Sequence, residues 1–320
     1  MSQEKTVYFV CGLPRSGSTL LMNILGQNPR CYVTPTSGIM EVLVQTRNIW
    51  DRIAAFRAAR REEGEAIKLN VLRSILRGYF DHTERPVCFD KGRLWMEHFE
   101  MAAALLGGRE KVKALVTVRD LREVVASFEL LWRKTAALQQ PPGDRPDMLR
   151  FKTALGRVRL QIAQDSPTGR AFNAIRDAAT RGWLDRMFFI EYEALTVNPK
   201  ATLDAVYNFL GETPFAHDYE NVEQITFEDD FEHGYKDLHK IRQKVEPQAP
   251  KFGWVFDDAV KVDPVWQDLE TCASFWRVYM PQAKSKPAKA PKAGSVGAPL
   301  PHLMQPQAQG GAAAPAEPLT

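Results

Sequence analysis

The chain has 320 residues, 44% hydrophobic and 25% charged, which excludes a collagen-like or largely disordered protein. No apolar run approaches the roughly 20 residues that cross a bilayer, so no integral membrane segment is expected. The N-terminus, Met1-Ser2-Gln3-Glu4-Lys5-Thr6, has no basic leader before a long apolar stretch, and no secretory signal is expected. The net charge of +3 is local, because the 37 residues from Lys284 hold four Lys and one acid while the rest balances. That argues against a global field for nucleic acid and leaves room for a local anion pocket.

In chain order, Thr6–Val10 reads as a buried strand closed by the turn Cys11-Gly12-Leu13-Pro14. Leu20, Leu21, Ile24 and Leu25 fall at helical spacing within Ser18–Gln27, and Asn28-Pro29 stops them. Cys31–Val33 is a second short strand, residues 38–62 and 65–80 are helical, and Pro86–Asp90 is a third strand. A helix over Trp95–Leu106 precedes the clearest strand, Val112–Val118, with another helix over Arg122–Lys134. Pro141-Pro142-Gly143-Asp144 breaks the chain before a long helical stretch over about 147–181. Met187–Ile190 is the last strand and Ala201–Leu210 the helix after it. Short apolar strands alternating with amphipathic helices predict an α/β fold, a central parallel sheet covered by helices on both faces. Residues 215–283 lose this alternation and are expected to close over the sheet's carboxyl edge. Residues 1–283 therefore form one catalytic-sized domain, and 284–320, rich in Pro, Ala and Gly, a disordered tail. Cys11, Cys31, Cys88 and Cys272 show no CxxC spacing and read as buried free thiols, so a reducing, cytoplasmic setting is expected.

Gly12-Leu13-Pro14-Arg15-Ser16-Gly17-Ser18-Thr19 lies between the first strand and first helix, where a phosphate-cradling loop belongs. Its spacing is that of G-x-x-x-x-G-K-[ST], except that Ser18 stands in the Lys position and the cation comes earlier, at Arg15. Backbone N–H groups of such a loop and the helix N-terminus converge on an anion. Arg15 can fork onto two oxygens, and Ser16, Ser18 and Thr19 can donate hydroxyl hydrogen bonds. The missing Lys argues against a nucleoside triphosphatase. A second strand–loop–helix, Leu115–Ser127, puts Arg119 at a strand's carboxyl end and Ser127 two turns into the helix, suited to a second phosphate or to a plain surface ion pair of Arg119 with Asp120.

Together, PRSGST and VRDLREVVASF resemble two elements of the sulfotransferases that use 3′-phosphoadenylyl sulfate (PAPS): the 5′-phosphosulfate loop and the 3′-phosphate element. Ile190-Glu191-Tyr192-Glu193-Ala194-Leu195 is similar to the family's stretch near the adenine, and the wording GLPRSGSTLL…LGQNPR is most similar to bacterial members, some of which modify peptide tyrosine. The resemblance implies sulfuryl transfer by in-line displacement, with adenosine 3′,5′-bisphosphate leaving and no metal required. It assigns Pro14, Arg15, Ser16, Gly17, Ser18, Thr19, Arg119, Ser127 and Tyr192 to PAPS, with Lys251 as a further contact to the 3′-phosphate. Lys91, in Phe89-Asp90-Lys91-Gly92-Arg93, matches the Lys that approaches the transferring group; a solvated turn with Asp90 paired to Lys91 or Arg93 is the plain reading. The general base does not carry over. Arg93 holds the place of the His in cytosolic members, and Thr36 the place of the Glu in protein-tyrosine sulfotransferases. Glu41 is one turn further and is the first candidate, ahead of Asp90 and His98. Leu20 replaces the family's adenine-stacking Trp, leaving Tyr192 or Phe252 to stack on the purine.

Two other classes compete. A P-loop kinase or nucleotidase would use ATP and Mg²⁺ with Asp90 or Asp120 and the hydroxyl of Ser18 or Thr19. A non-catalytic protein would keep the nucleotide pocket without a working base. The acceptor class stays open among small molecules, sugar hydroxyls, amines and peptide tyrosine, with Trp50, Phe56, Tyr79, Phe80 and Trp132 as wall or core.

Overall fold

The computed structural model describes residues 5–136 and 152–280. Five parallel strands, β1 (Thr6–Gly12), β2 (Cys31–Thr36), β3 (Val87–Lys91), β4 (Ala114–Val118) and β5 (Met187–Glu191), form one sheet in the order β2-β3-β1-β4-β5. Side chains alternate across it: Val7, Phe9, Cys11, Cys88 and Val116 enter one core, and Tyr8, Val10, Val87, Phe89 and Leu115 the other. On the second face lie α1 (Ser18–Leu25) and, later in the chain, the helix Pro199–Leu210, through Leu21, Ile24, Leu203 and Val206. The first face is covered by α2 (Ile39–Trp50) and, past the four-residue α3 (Ala54–Arg57), which buries no side chain, by α4 (Arg61–Phe80), α5 (Phe99–Leu106), α6 (Leu121–Ala136), α7 (Ala154–Ile162) and α8 (Pro167–Thr180). After β5 come α9 (Tyr192–Val197), α10 (Pro199–Leu210) and short α11 (Phe252–Val255), α12 (Asp258–Lys261) and α13 (Pro264–Thr271). The expected parallel sheet with both faces covered is what the chain adopts.

Three expected helices differ. The stretch expected over 38–62 ends at Trp50, because extended ψ angles of 120° at Ile53 and 129° at Arg60 break the chain before α3 and before α4. The stretch from Trp95 begins as a 3-10 turn over Arg93–His98, and α5 starts only at Phe99. The stretch expected over 147–181 divides into α7 and α8, because Ser166 caps a new helix and Pro167 takes its first turn, where no N–H is needed. The Pro141–Asp144 break and the tail from Lys284 lie outside the described residues. All four cysteines are buried and free. No helix among the described residues is long and apolar enough to cross a membrane.

With all strands parallel, their carboxyl ends share one edge, and β1, β3, β4 and β5 deliver their following residues there. Residues 219–245 cross above that edge. Val222 and Val245 are buried in the second core, and Val222 N–H donates to Gln243 O as Val245 N–H donates to Tyr219 O. Asn23 of α1 pins the segment: its Oδ1 accepts from the Ile225 and Thr226 amides at 2.6 and 3.1 Å, and its Nδ2 donates to Thr226 Oγ1 at 2.9 Å.

Candidate active site

Two glycines set the loop after β1. Gly12 has φ +121°, and a Cβ there would lie 2.0 Å from the Thr117 carbonyl oxygen, so only glycine lets β1 pass β4 this closely. Gly17 has φ +88°, and a Cβ there would meet the Tyr192 ring at 2.7 Å. Arg15 adopts φ 58°, an uncommon left-handed conformation for a non-glycine residue. Pro14, Arg15, Gly17, Ser18 and Thr19 line a cavity of about 470 Å³, and helix geometry leaves the first amides of α1 without intrahelical partners. Ser16 behaves differently from the expectation. Its hydroxyl is buried, donates to Leu13 O and lies 2.7 Å from Thr117 Oγ1, so it ties the loop to β4 instead of reaching the cavity.

The second element meets the first directly. Arg15 Nε donates to Ser127 Oγ at 3.1 Å, Arg15 Nη1 donates to Leu238 O, and Arg119 Nη1 donates to Arg15 O at 3.4 Å. Arg119 is buried, lies 4.1 Å above the Tyr192 ring, and pairs with Glu123 at 3.0 Å. The expected Arg119–Asp120 surface pair is absent, since Asp120 binds Arg122 instead. Glu123 also accepts from the Lys251 and Phe252 amides, which brings Lys251 to the cavity. Arg119 Nε has no hydrogen-bond partner. Burial and then the Arg119 charge lower the Arg15 guanidinium to about 10, and the same two causes lower the Lys251 ammonium. Two cations lowered by a third beside them mark a place where an anion is stabilising.

At the end of β3, Lys91 is buried and donates to Thr19 Oγ1 at 3.3 Å and Glu228 Oε1 at 2.9 Å. Asp90 points the opposite way, as strand alternation requires, and accepts from Trp95 Nε1 at 2.6 Å in the core. Burial raises its carboxyl to about 6, but it does not line the cavity, and neither does His98. Glu41 does line it, exposed in the first turn of α2, with no hydrogen bond or ion pair to any described residue. Phe252 lies under the Arg122 guanidinium at 4.3 Å and packs on Trp266, away from the cavity, which leaves Tyr192 as the ring beside the loop. None of the five aromatics considered for an acceptor wall lines the cavity; Trp50 and Phe56 stack on each other and Trp132 lies against Arg157.

Glu228 is the residue that sequence reasoning missed. Its Oε1 also accepts the Thr36 amide at 2.8 Å, so a carboxylate arrives from a distant segment at the position where Thr36 supplies none. Burial works to raise this carboxyl, yet Lys91 and Thr36 together hold it at about 2. Its Oε2 lies 3.4 Å from His233 and 3.5 Å from His239. These three residues bring ligating atoms within 4.8 Å of one another, but the Lys91 ammonium on the same carboxylate opposes a second cation.

A profile of the sulfotransferase family matches residues 8–217. The chain belongs to the sulfotransferase family. No curated protein matches it in sequence. Among solved structures, this sulfotransferase is similar to the sulfotransferase domain of the curacin biosynthetic pathway, with 14% identity and a TM-score of 0.44 over 89% of this chain and 95% of that one. It is also similar to sulfotransferase STF9 from Mycobacterium avium (13% identity, TM-score 0.45, 86% and 76% covered) and the sulfotransferase domain of the Synechococcus PCC 7002 olefin synthase (17%, 0.39, 79% and 94%).

The Glu228 carboxyl makes stability pH-dependent with a definite sign. A folded-state pKa held at about 2, below the ordinary 4.5, contributes stability fully present above about pH 4.5 and lost as pH falls toward 2. Glu228→Gln in this sulfotransferase should flatten that limb by something on the order of 3 kcal/mol. Denaturant melts of both proteins between pH 2 and 6 measure it; parallel acid limbs would contradict the pairing.

Proposed function

We propose that this sulfotransferase moves the sulfuryl group of PAPS to a hydroxyl or amine of an acceptor, by in-line displacement that releases adenosine 3′,5′-bisphosphate. The observation that carries this reading is one cavity in which the Arg15 loop, Arg119 with Ser127, and Lys251 converge, the charge of Arg119 lowering both Arg15 and Lys251. The residues fit a ligand with two separated anionic groups: loop amides, Ser18 and Thr19 at one end, and at the other Arg119, whose Nε donates no hydrogen bond and has the Glu193 carboxylate 3.7 Å away. PAPS supplies an activated sulfuryl group and a good leaving group. Arg15 and the loop amides hold the 5′ anion, Lys91 meets charge growing on the bridging oxygen, and Tyr192 flanks the purine. The kinase alternative loses its carboxylate ligands for a metal, because Asp90 is bonded to Trp95 and Asp120 to Arg122.

Binding discriminates the second subsite. Adenosine 3′,5′-bisphosphate should raise the melting temperature more than adenosine 5′-monophosphate or ATP at equal concentration. Arg119→Ala should cost about 1.5–3 kcal/mol of that affinity, the range for hydrogen bonds to charged groups. Equal affinity for the monophosphate would remove the 3′-phosphate assignment. Incubation with ³⁵S-labelled PAPS and extract of the source cells tests the transfer itself, and the labelled product names the acceptor as small molecule, sugar or peptide tyrosine.

A further inference from the structure

The transfer proposed above needs a group to take the acceptor's proton, and the residues expected to do so are badly placed. Asp90 faces the core, Glu41 is exposed without a fixing partner, and Glu228 is engaged by Lys91 and Thr36. The segment over the sheet edge offers a better arrangement. His239 lines the cavity, and its Nδ1 donates to Asp230 Oδ1 at 2.6 Å, while its own backbone N–H donates to Asp230 Oδ2 at 3.0 Å. One carboxylate thus grips both the ring and the backbone of the same residue. A carboxylate only accepts, so the proton of the neutral ring sits on Nδ1 and Nε2 keeps its lone pair. Nε2 makes no hydrogen bond to any described residue. Gln224 Nε2 donates to His239 O at 3.3 Å, so the backbone is held from a second side.

Resting on that functional reading, we propose that His239 is the general base of the transfer, with Asp230 as its positioning residue. The acceptor's O–H proton passes to Nε2 as its oxygen forms a bond to sulfur. The bond from sulfur to the bridging phosphate oxygen breaks, and its electron pair leaves with the bisphosphate. The imidazolium then returns the proton to solvent. Charged and titratable groups around the ring are Asp230, Glu228, Lys91 and His233. Burial, then Lys91, lowers the His239 pKa from 6.5 against the pull of the two carboxylates, so the ring is neutral and able to accept at pH 7.

Two phenols of different acidity make the test specific. 4-Nitrophenol ionises near neutrality and needs little help losing its proton, whereas phenol does. His239→Asn should slow transfer from PAPS to phenol by about 10²-fold or more, in the range of general-base effects. It should slow transfer to 4-nitrophenol less than 10-fold and leave adenosine 3′,5′-bisphosphate binding unchanged, and it should remove the acid-side inflection of kcat/KM. Asp230→Asn should shift that inflection. Equal losses on both phenols, no loss, or a larger phenol-selective loss in His233→Asn would overturn the assignment. NMR titration of ¹⁵N-histidine-labelled protein decides independently of turnover: an Nδ1–H tautomer with a pKa below 6.5 is expected for His239, and an Nε2–H tautomer overturns the proposal. If the wild-type protein transfers to neither phenol, phenols are not its acceptors, the ³⁵S experiment tests the sulfuryl-transfer reading, and the titration still decides the histidine.

Discussion

Lys91→Ala should transfer about 10²–10³-fold more slowly while binding adenosine 3′,5′-bisphosphate nearly as the wild type does. The reason is where its charge is used. In the proposed transfer, an ammonium at the end of β3, held between Thr19 and Glu228, would meet the bridging oxygen only as charge develops there. An interaction stronger in the transition state than in the ground state lowers kcat more than binding. Arg15, proposed to hold the anion in both states, should instead lose affinity and rate together when changed to Ala. The structure adds a second consequence for Lys91. Its removal leaves the Glu228 carboxylate buried without its cation, a change that typically costs about 3–5 kcal/mol. Lys91→Ala with Glu228→Gln should therefore recover melting temperature without recovering rate. Single-turnover transfer, a binding titration and a melt on the three variants separate these effects. Near-normal single-turnover rates in Lys91→Ala would remove β3 from the chemistry.

Gly12→Ala should be the most damaging small substitution in the loop. Its Cβ would fall 2.0 Å from a backbone oxygen of β4, a contact that no side-chain rotation relieves. The φ of +121° is also closed to L side chains. Backbone strain and overpacking each cost about 1–3 kcal/mol. At about 2–4 °C per kcal/mol for chains of this size, the melting temperature should drop by roughly 10 °C. Gly38→Ala is the control, because a Cβ there meets nothing within 4 Å and φ is −95°, so it should melt within about 2 °C of the wild type. Equal melting of the two variants would mean that β1 and β4 can separate at this point without cost.

What the sequence determined alone is what short-range physics controls. Apolar runs of strand length, helical spacing and turn residues were enough for five strands and a helix after each, though not for where the helices after β2 and β3 begin and end. Parallel pairing then obliges residues after β1, β3 and β4 to share an edge, so Arg15, Lys91 and Arg119 could be assembled from the linear order. Strand alternation would also have separated Asp90 from Lys91, had period two been applied to that pair. Ser16 could not be judged locally, because its hydroxyl is captured by Thr117, 101 residues away. Glu228 reaches Lys91 across 137 positions, from a segment with no periodicity to predict its path. The position of that segment follows from Asn23, Val222 and Val245 docking on a finished surface. His239 acquires its partner Asp230 only when that irregular turn closes. Local rules place a side chain on its own strand or helix; which carboxylate reaches which cation across the sheet edge depends on packing that exists only after the chain has folded.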